Sequence, residues 1–403
     1  MTGLGRASGG AEAAPASQQG MRRQNLAVVL GAVAAHGPLS RADVAGQTGL
    51  TRPAVSSMVD ELIARGALTE TETAPSGRVG RPGRALVLSD RGPAGLGLEI
   101  GVTHLAACVV DLRGEARVWR RVERANAGRP AGQVLAEAAV LGAEAESAAA
   151  GLGLRVEGRV LAVPGVVPNA PRGLIANAPN LGWQAVRPAD HWPDPDTVPE
   201  PENEANLGAL AEQWHQGLPD ETFVHVSAEA GIGAALIVGG QLFRGARGFA
   251  GELGHLPVHP EGAPCACGAR GCLEQYAGEA AVLREAGLAG TGDPVALLAE
   301  RAGAGDAATL RALDRAGRAL GLALASAVHL IDPDGLVLGG AYAELADWLL
   351  PPVRAELAAR VTVRPWAPEA VRPAALGRRG PVLGAAWSTV RQIIADPTRL
   401  PAR

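Results

Sequence analysis

Between Gly251 and Glu274 the chain reads G-E-L-G-H-L-P-V-H-P-E-G-A-P-C-A-C-G-A-R-G-C-L-E, and no other segment constrains the fold as strongly. Cys265, Cys267 and Cys272 fall within one short loop, and His255 lies ten positions upstream of Cys265. Three thiolates and one imidazole can close a tetrahedral shell, so ligand type and spacing predict a structural zinc site. The alternative is a disulfide. It fits poorly, because Cys265 and Cys267 are too close in sequence to bridge easily and three local cysteines leave one over. The fourth cysteine, Cys108, sits in the apolar run L-A-A-C-V-V and reads as a reduced core residue.

With 403 residues the chain has room for two or three domains, each able to bury a core. It contains no run of eighteen apolar residues, and its first twenty lack the charged start and apolar block of a signal peptide. A cytoplasmic protein without a membrane partner is therefore expected. A formal net charge of -4 argues against a surface coated in positive charge for nucleic acid. Every basic residue is Arg, which reflects compositional bias, so arginine counts are discounted.

Residues 1–20 have no apolar periodicity and are expected to form a disordered tail. From Met21 onward, Leu26, Val29, Leu30 and Val33 recur at helical spacing before H-G-P-L breaks the run. A second helix is predicted from an N-cap at Ser40 to Thr48, ended by Gly49, and a third after Thr51, with Pro53 in its first turn and Val55, Val59 and Leu62 on one face. Two strand-like runs then flank a Gly, Pro and Arg loop, which completes a winged helix-turn-helix over residues 21–91. This segment holds nine Arg against six acidic residues, so it is basic within an acidic chain. Candidate DNA contacts are Arg52, Ser56 and Ser57 on the third helix and Arg78, Arg81 and Arg84 at the wing. The helix suits a major groove, and G-R-P-G-R suits a narrow minor groove. A small protein-interaction domain with solvated arginines is the competing reading.

After Pro93 strands and helices alternate in the manner of an α/β protein. G-E-x-G-H followed by C-x-C-G-x-x-G-C-x-E resembles the ROK family of repressors, uncharacterised reading frames and kinases, and the resemblance runs from about Met21 to the last helix. It implies an actin-like ATPase (ribonuclease H-like) body of two α/β lobes over residues 92–403, with the zinc loop at 251–274. It also implies His255, Cys265, Cys267 and Cys272 as zinc ligands, and Glu252, His255 and Glu274 facing a hexose. ROK repressors resemble this arrangement of head and body, whereas ROK kinases lack the head.

Sugar kinases of that family keep one Asp in D-x-G-x-T, for metal and phosphates, and another in E-N-D-A-N, as general base. This chain has E-I-G-V-T (Glu99 to Thr103) and E-N-E-A-N (Glu202 to Asn206). Both aspartates have become glutamates, at Glu99 and Glu204. One added methylene moves a carboxylate by roughly 1 to 1.5 Å, and a misplacement of about 1 Å can cost on the order of a hundredfold in rate. The phosphate loop departs as well, with Ala230 for a Thr and Ala234 for a Gly. The sugar side is better kept: Asn203, Glu204, Glu252, His255 and Glu274 can read hydroxyls.

These observations predict a sugar-responsive transcriptional repressor with no catalytic residue, whose partners are operator DNA and a sugar or sugar derivative. A homodimer or homotetramer is expected, since a helix-turn-helix reader works on two-fold sites. ATP and Mg are not expected. The retained charge at Glu99 and Glu204 keeps open an active, glucokinase-like hexose kinase with an added head. A body that only oligomerises is the third reading.

Overall fold

The computed structural model describes residues 18–71, 84–218, 220–288 and 293–401. The chain forms two compact units: one comprises the residues up to Asp90 together with Arg391–Arg403, the other runs from Arg91 to Val390. The sequence places all of residues 92–403 in the body. The C-terminal stretch instead groups with the head, a long-range association that no local pattern signals.

In the first unit, helix α1 (Gln18–His36) buries Leu26, Val29, Leu30 and Val33, the stripe that its periodicity predicts. It begins at Gln18, so residues 18–20 are helical and do not belong to a tail. Helix α2 (Arg41–Thr48) starts with a capping box. The Asp43 amide donates to Ser40 Oγ at 3.2 Å and the Ser40 amide donates to the Asp43 carboxylate at 3.0 Å. Gly49, at φ 71°, ends it. Helix α3 (Arg52–Ala64) turns Val55, Met58, Val59 and Leu62 inward. Strands β1 (Leu68–Thr71) and β2 (Ala85–Leu88) pair antiparallel, and Leu39 adds a bridge to Leu86. From the C-terminal stretch, Leu400 is 1% exposed, its carbonyl accepts from Arg65, and Asp396 pairs with Arg23 at 3.8 Å.

The second unit has two lobes of the same topology. The first contains β3 (Gly92–Ile100), β4 (His104–Asp111), β5 (Ala116–Glu123), α4 (Ala131–Gly151), β6 (Leu154–Val163), a small ribbon of β7 (Ile175–Ala178) and β8 (Trp183–Val186), then β9 (Glu200–Asn203) and α5 (Glu204–Gln216). The second contains β10 (Phe223–Ala228), β11 (Ile232–Val238), β12 (Gln241–Phe243), α6 (Glu274–Ala277), α7 (Glu279–Ala286), α8 (Pro294–Gly303) and α9 (Ala307–Ile331). It continues with β13 (Gly335–Gly340), α10 (Ala341–Glu344), α11 (Ala346–Arg360) and β14 (Val371–Pro373), after which α12 (Gly380–Ala395) returns to the first sheet. The sheet orders are β5-β4-β3-β6-β9 and β12-β11-β10-β13-β14. In each, three antiparallel strands are followed by two parallel additions. The edge strands β5 and β12 escape a sequence reading because Arg117, Arg120 and Arg121 blur the alternation of one and the other has three residues.

Helix α12 lies almost directly on the backbone of the first sheet. A Cβ on Gly97 would come within 2.1 Å of the Val382 carbonyl oxygen, and one on Gly95 within 2.2 Å of that of Ala386. Only glycine permits so close an approach. The C-terminal ends of β3, β9, β10 and β13 carry Glu99, Asn203, Glu229 and Gly340, so strand ends of both lobes supply the site residues.

Candidate functional site

The cysteine loop is folded by its own backbone. The Cys265 amide donates to the Ala269 carbonyl at 2.8 Å, and that of Gly271 to Ala263 at 2.8 Å. Gly271 adopts φ 70°, and a Cβ there would stand 1.6 Å from the His259 carbonyl oxygen, so the turn needs glycine. His255, Cys265, Cys267 and Cys272 present ligand atoms that all lie within 4.8 Å of one another. Cys267 Sγ is 3.7 Å from Cys272 Sγ, and His255 Nδ1 is 3.9 Å from Cys265 Sγ. A tetrahedron with metal–sulfur bonds of about 2.3 Å has edges of about 3.8 Å, so the four groups fit one tetrahedral ion. Burial and the neighbouring thiols push the Cys272 thiol up to about 12, a cost that a cation among the ligands removes.

His255 reaches the next layer through its other nitrogen, since Nε2 stands 3.8 Å from the Glu252 carboxylate. Burial raises Glu252 above the usual carboxylate range, and Glu274 raises it further. Glu274 opens α6 two residues after Cys272, and its Oε2 accepts from the Ile232 amide at 3.1 Å. It faces Gly231, where a Cβ would meet Glu274 Oε2 at 2.7 Å and Asn180 Nδ2 at 3.0 Å. Asn180, from the loop between β7 and β8, thus approaches from the other lobe. No pattern in the sequence singles out this residue.

Asn203 has a larger structural part than its sequence context suggests. Its Oδ1 caps α5 by accepting from the amides of Ala205 and Asn206, and its Nδ2 donates to the Gly165 carbonyl at 2.8 Å. One Nδ2 hydrogen is left for a ligand. Glu202 accepts from Asn206 Nδ2 at 2.9 Å and pairs with Arg244, which holds the first turn of α5 in place. Glu204 follows at the start of α5, and burial, then Glu99 and Glu229, drive its carboxyl well above the ordinary range. That environment disfavours the ionised form of the carboxyl.

The phosphate-loop end is occupied by side chains of the chain itself. Glu99 is buried with His104 Nε2 at 3.4 Å. Glu229 follows β10, and its Oε1 stands 3.0 Å from where a Cβ on Gly340 would be. Burial raises the Glu229 carboxyl to about 7, with Arg378 opposing the shift and Glu99 adding to it. Arg378 Nε lies 3.5 Å from Glu229 and 3.2 Å from Glu344, with Asp293 at 3.4 Å and Glu279 at 4.0 Å from its other nitrogens. His104, Glu229 and Arg378 were not singled out from sequence. A lone acid or a lone arginine carries no pattern there.

In the head, Arg52 and Ser57 are exposed and Ser56 is half-buried, its carbonyl accepting from Arg41. Arg84 is exposed and pairs with Glu70 at 3.1 Å. Arg78 and Arg81 lie outside the described residues.

A winged-helix head joined to a two-lobed body with a His and three-Cys loop defines a class of proteins built on a sugar-kinase scaffold. The chain belongs to the ROK family, which matches residues 95–392, and residues 25–79 match the MarR family. It is 28% identical over 375 residues to the xylose repressor of Bacillus subtilis (strain 168), covering 92% of this chain and 95% of the repressor. Against the glucokinase of Halalkalibacterium halodurans it is 31% identical over 251 residues, with 58% of this chain and 76% of the enzyme covered. Among solved structures, a ROK family transcriptional regulator, homolog of the E. coli MLC protein, superposes with a TM-score of 0.75 at 23% identity over 94% of this chain and 98% of its own. A ROK glucokinase from Streptomyces griseus, in complex with glucose and AMPPNP, gives a TM-score of 0.64 at 28% identity over 74% and 99%.

Proposed function

We propose that this chain is a sugar-responsive DNA-binding repressor whose body senses a sugar and does not phosphorylate it. The observation that carries the reading is the winged-helix head joined to a ROK body whose general-base position holds Glu204 in place of an aspartate. Asn180, Asn203, Glu204, Glu252, His255 and Glu274 would hold the hydroxyls. Zinc would sit in the cysteine loop with a structural role, because four protein ligands leave no open position. The protein would act in the cytoplasm as a symmetric oligomer on a two-fold operator, with Arg52, Ser56 and Ser57 in the major groove and Arg78, Arg81 and Arg84 at the wing.

Footprinting on the DNA upstream of its own gene, with and without a panel of sugars, tests the sensor. One sugar should change operator affinity about 5- to 150-fold, the range of ordinary allosteric linkage. Arg52→Ala should weaken binding to the operator. Retained acidity at Glu99 and Glu204 favours a second reading, an active kinase with a head. Turnover of ATP with a sugar at about 1 to 100 per second, abolished by Glu204→Gln, would establish the kinase instead.

A further inference from the structure

Glu229 lies at the tip of the turn between β10 and β11, the same turn whose Gly231 touches Glu274 and Asn180. Its amide donates to the Gly231 carbonyl at 3.0 Å, so the turn is tight and its side chain has little choice of direction. The carboxylate reaches Gly340, with Oε1 3.0 Å from where a Cβ there would be. Glu99 and Glu204 both lie near enough to interact with it or with each other electrostatically. A sugar seated among Glu252, Glu274 and Asn203 has, at its Glu204 end, a wall of three carboxyl groups. The Arg378 guanidinium beside this wall is already engaged. Arg378 is surrounded by Glu229, Glu279, Asp293 and Glu344, so one positive charge is shared among four carboxylates, and His104 is turned onto Glu99.

We infer that Glu229 is a specificity residue of the effector site, which makes the body select unphosphorylated sugars and reject their phosphate esters. This rests on the sugar-sensor reading above and extends it to the chemistry of the ligand. A phosphate ester directed at Glu204 would bring as many as two negative charges against Glu99 and Glu229, and like charges brought together in a partly buried site are strongly disfavoured. The loop supplies no compensation. Ala230 stands where the resembling phosphate loop has a hydroxyl-bearing residue, and the Glu229 carboxylate fills the space in front of Gly340. Arg378 cannot move to an anion without leaving four acids behind. An unphosphorylated sugar meets none of these costs, and a hydroxyl or ammonium at that end finds acceptors.

The test is calorimetry and operator release at pH 8, where Glu229 is ionised, with a panel of hexoses and pentoses, the matching sugar phosphates and an aminohexose. The full-length parent should bind an unphosphorylated sugar at least about tenfold more tightly than its phosphate ester. Glu229→Gln keeps the shape and removes the charge, and it should narrow that ratio by about threefold or more with little change in affinity for the neutral sugar. Glu344→Gln removes a charge from the same Arg378 nitrogen and should shift the ratio less than Glu229→Gln does. Equal affinity of the parent for both ligand classes overturns the inference, and so does an unchanged ratio in Glu229→Gln or an equal effect of Glu344→Gln. The parent's own ratio decides the matter even if Glu229→Gln does not fold. A panel in which no sugar of any kind alters operator binding removes the sensor reading itself, and the specificity with it.

Discussion

At His225 the second lobe holds an imidazole with almost no contact with water, 3% exposed, pressed between Gly208 of α5 and Gly339 of β13. Burial lowers its pKa from 6.5 to about 4, with Glu212 opposing the shift. A histidine whose folded pKa lies below its unfolded value binds fewer protons in the native state, so stability is full above pH 6.5 and is lost as pH falls toward 4. The loss by pH 4 is on the order of 3 kcal/mol. Urea melts between pH 7 and 4 should show this decline, and His225→Gln should flatten it. Glu204 and Glu229 have shifts of the opposite sign, upward, because they are acids in a dry and acidic place. Such residues resist a sequence reading: the Asp to Glu change at position 204 is visible, but the acids around it come from β3 and the β10–β11 turn and meet only in three dimensions.

Among the elements, the cysteine loop is short enough to be read directly, since its ligands lie within one stretch and its glycines mark the turns. Cys267→Ser should lower metal content from about one ion per subunit to a small fraction, measured by elemental analysis of reduced protein. Sugar affinity should fall with it, because Glu274 is fixed two residues from a ligand. The helices of the head are legible for a similar reason: Ser40, Asp43 and Gly49 cap α2 through contacts a few residues apart. Helix α12 is the opposite case. Its seat is a row of glycines in β3 and β6 that in sequence look like weak strand positions, and its backbone approach explains them. Gly97→Ala should force α12 outward and destabilise the body by about 1 to 3 kcal/mol, read as a lower urea midpoint.

For the whole molecule, the fold class and the repeated lobe plan followed from the alternation of strands and helices and from the family motifs, while the membership of Arg391–Arg403 in the head did not. Leu400 is the residue to test. Leu400→Ala should cost the head about 2 to 4 kcal/mol and weaken operator binding, leaving sugar affinity measured by calorimetry unchanged. The placement of Leu400 also has a consequence for synthesis. Residues 91–390 must be translated between the two parts of the head, which at roughly 5 to 20 residues per second takes about 15 to 60 s. During that interval α1, α2 and α3 are on the ribosome without the contacts of Arg65 to Leu400 and of Arg23 to Asp396, so the head closes around its last residues only after the body has emerged.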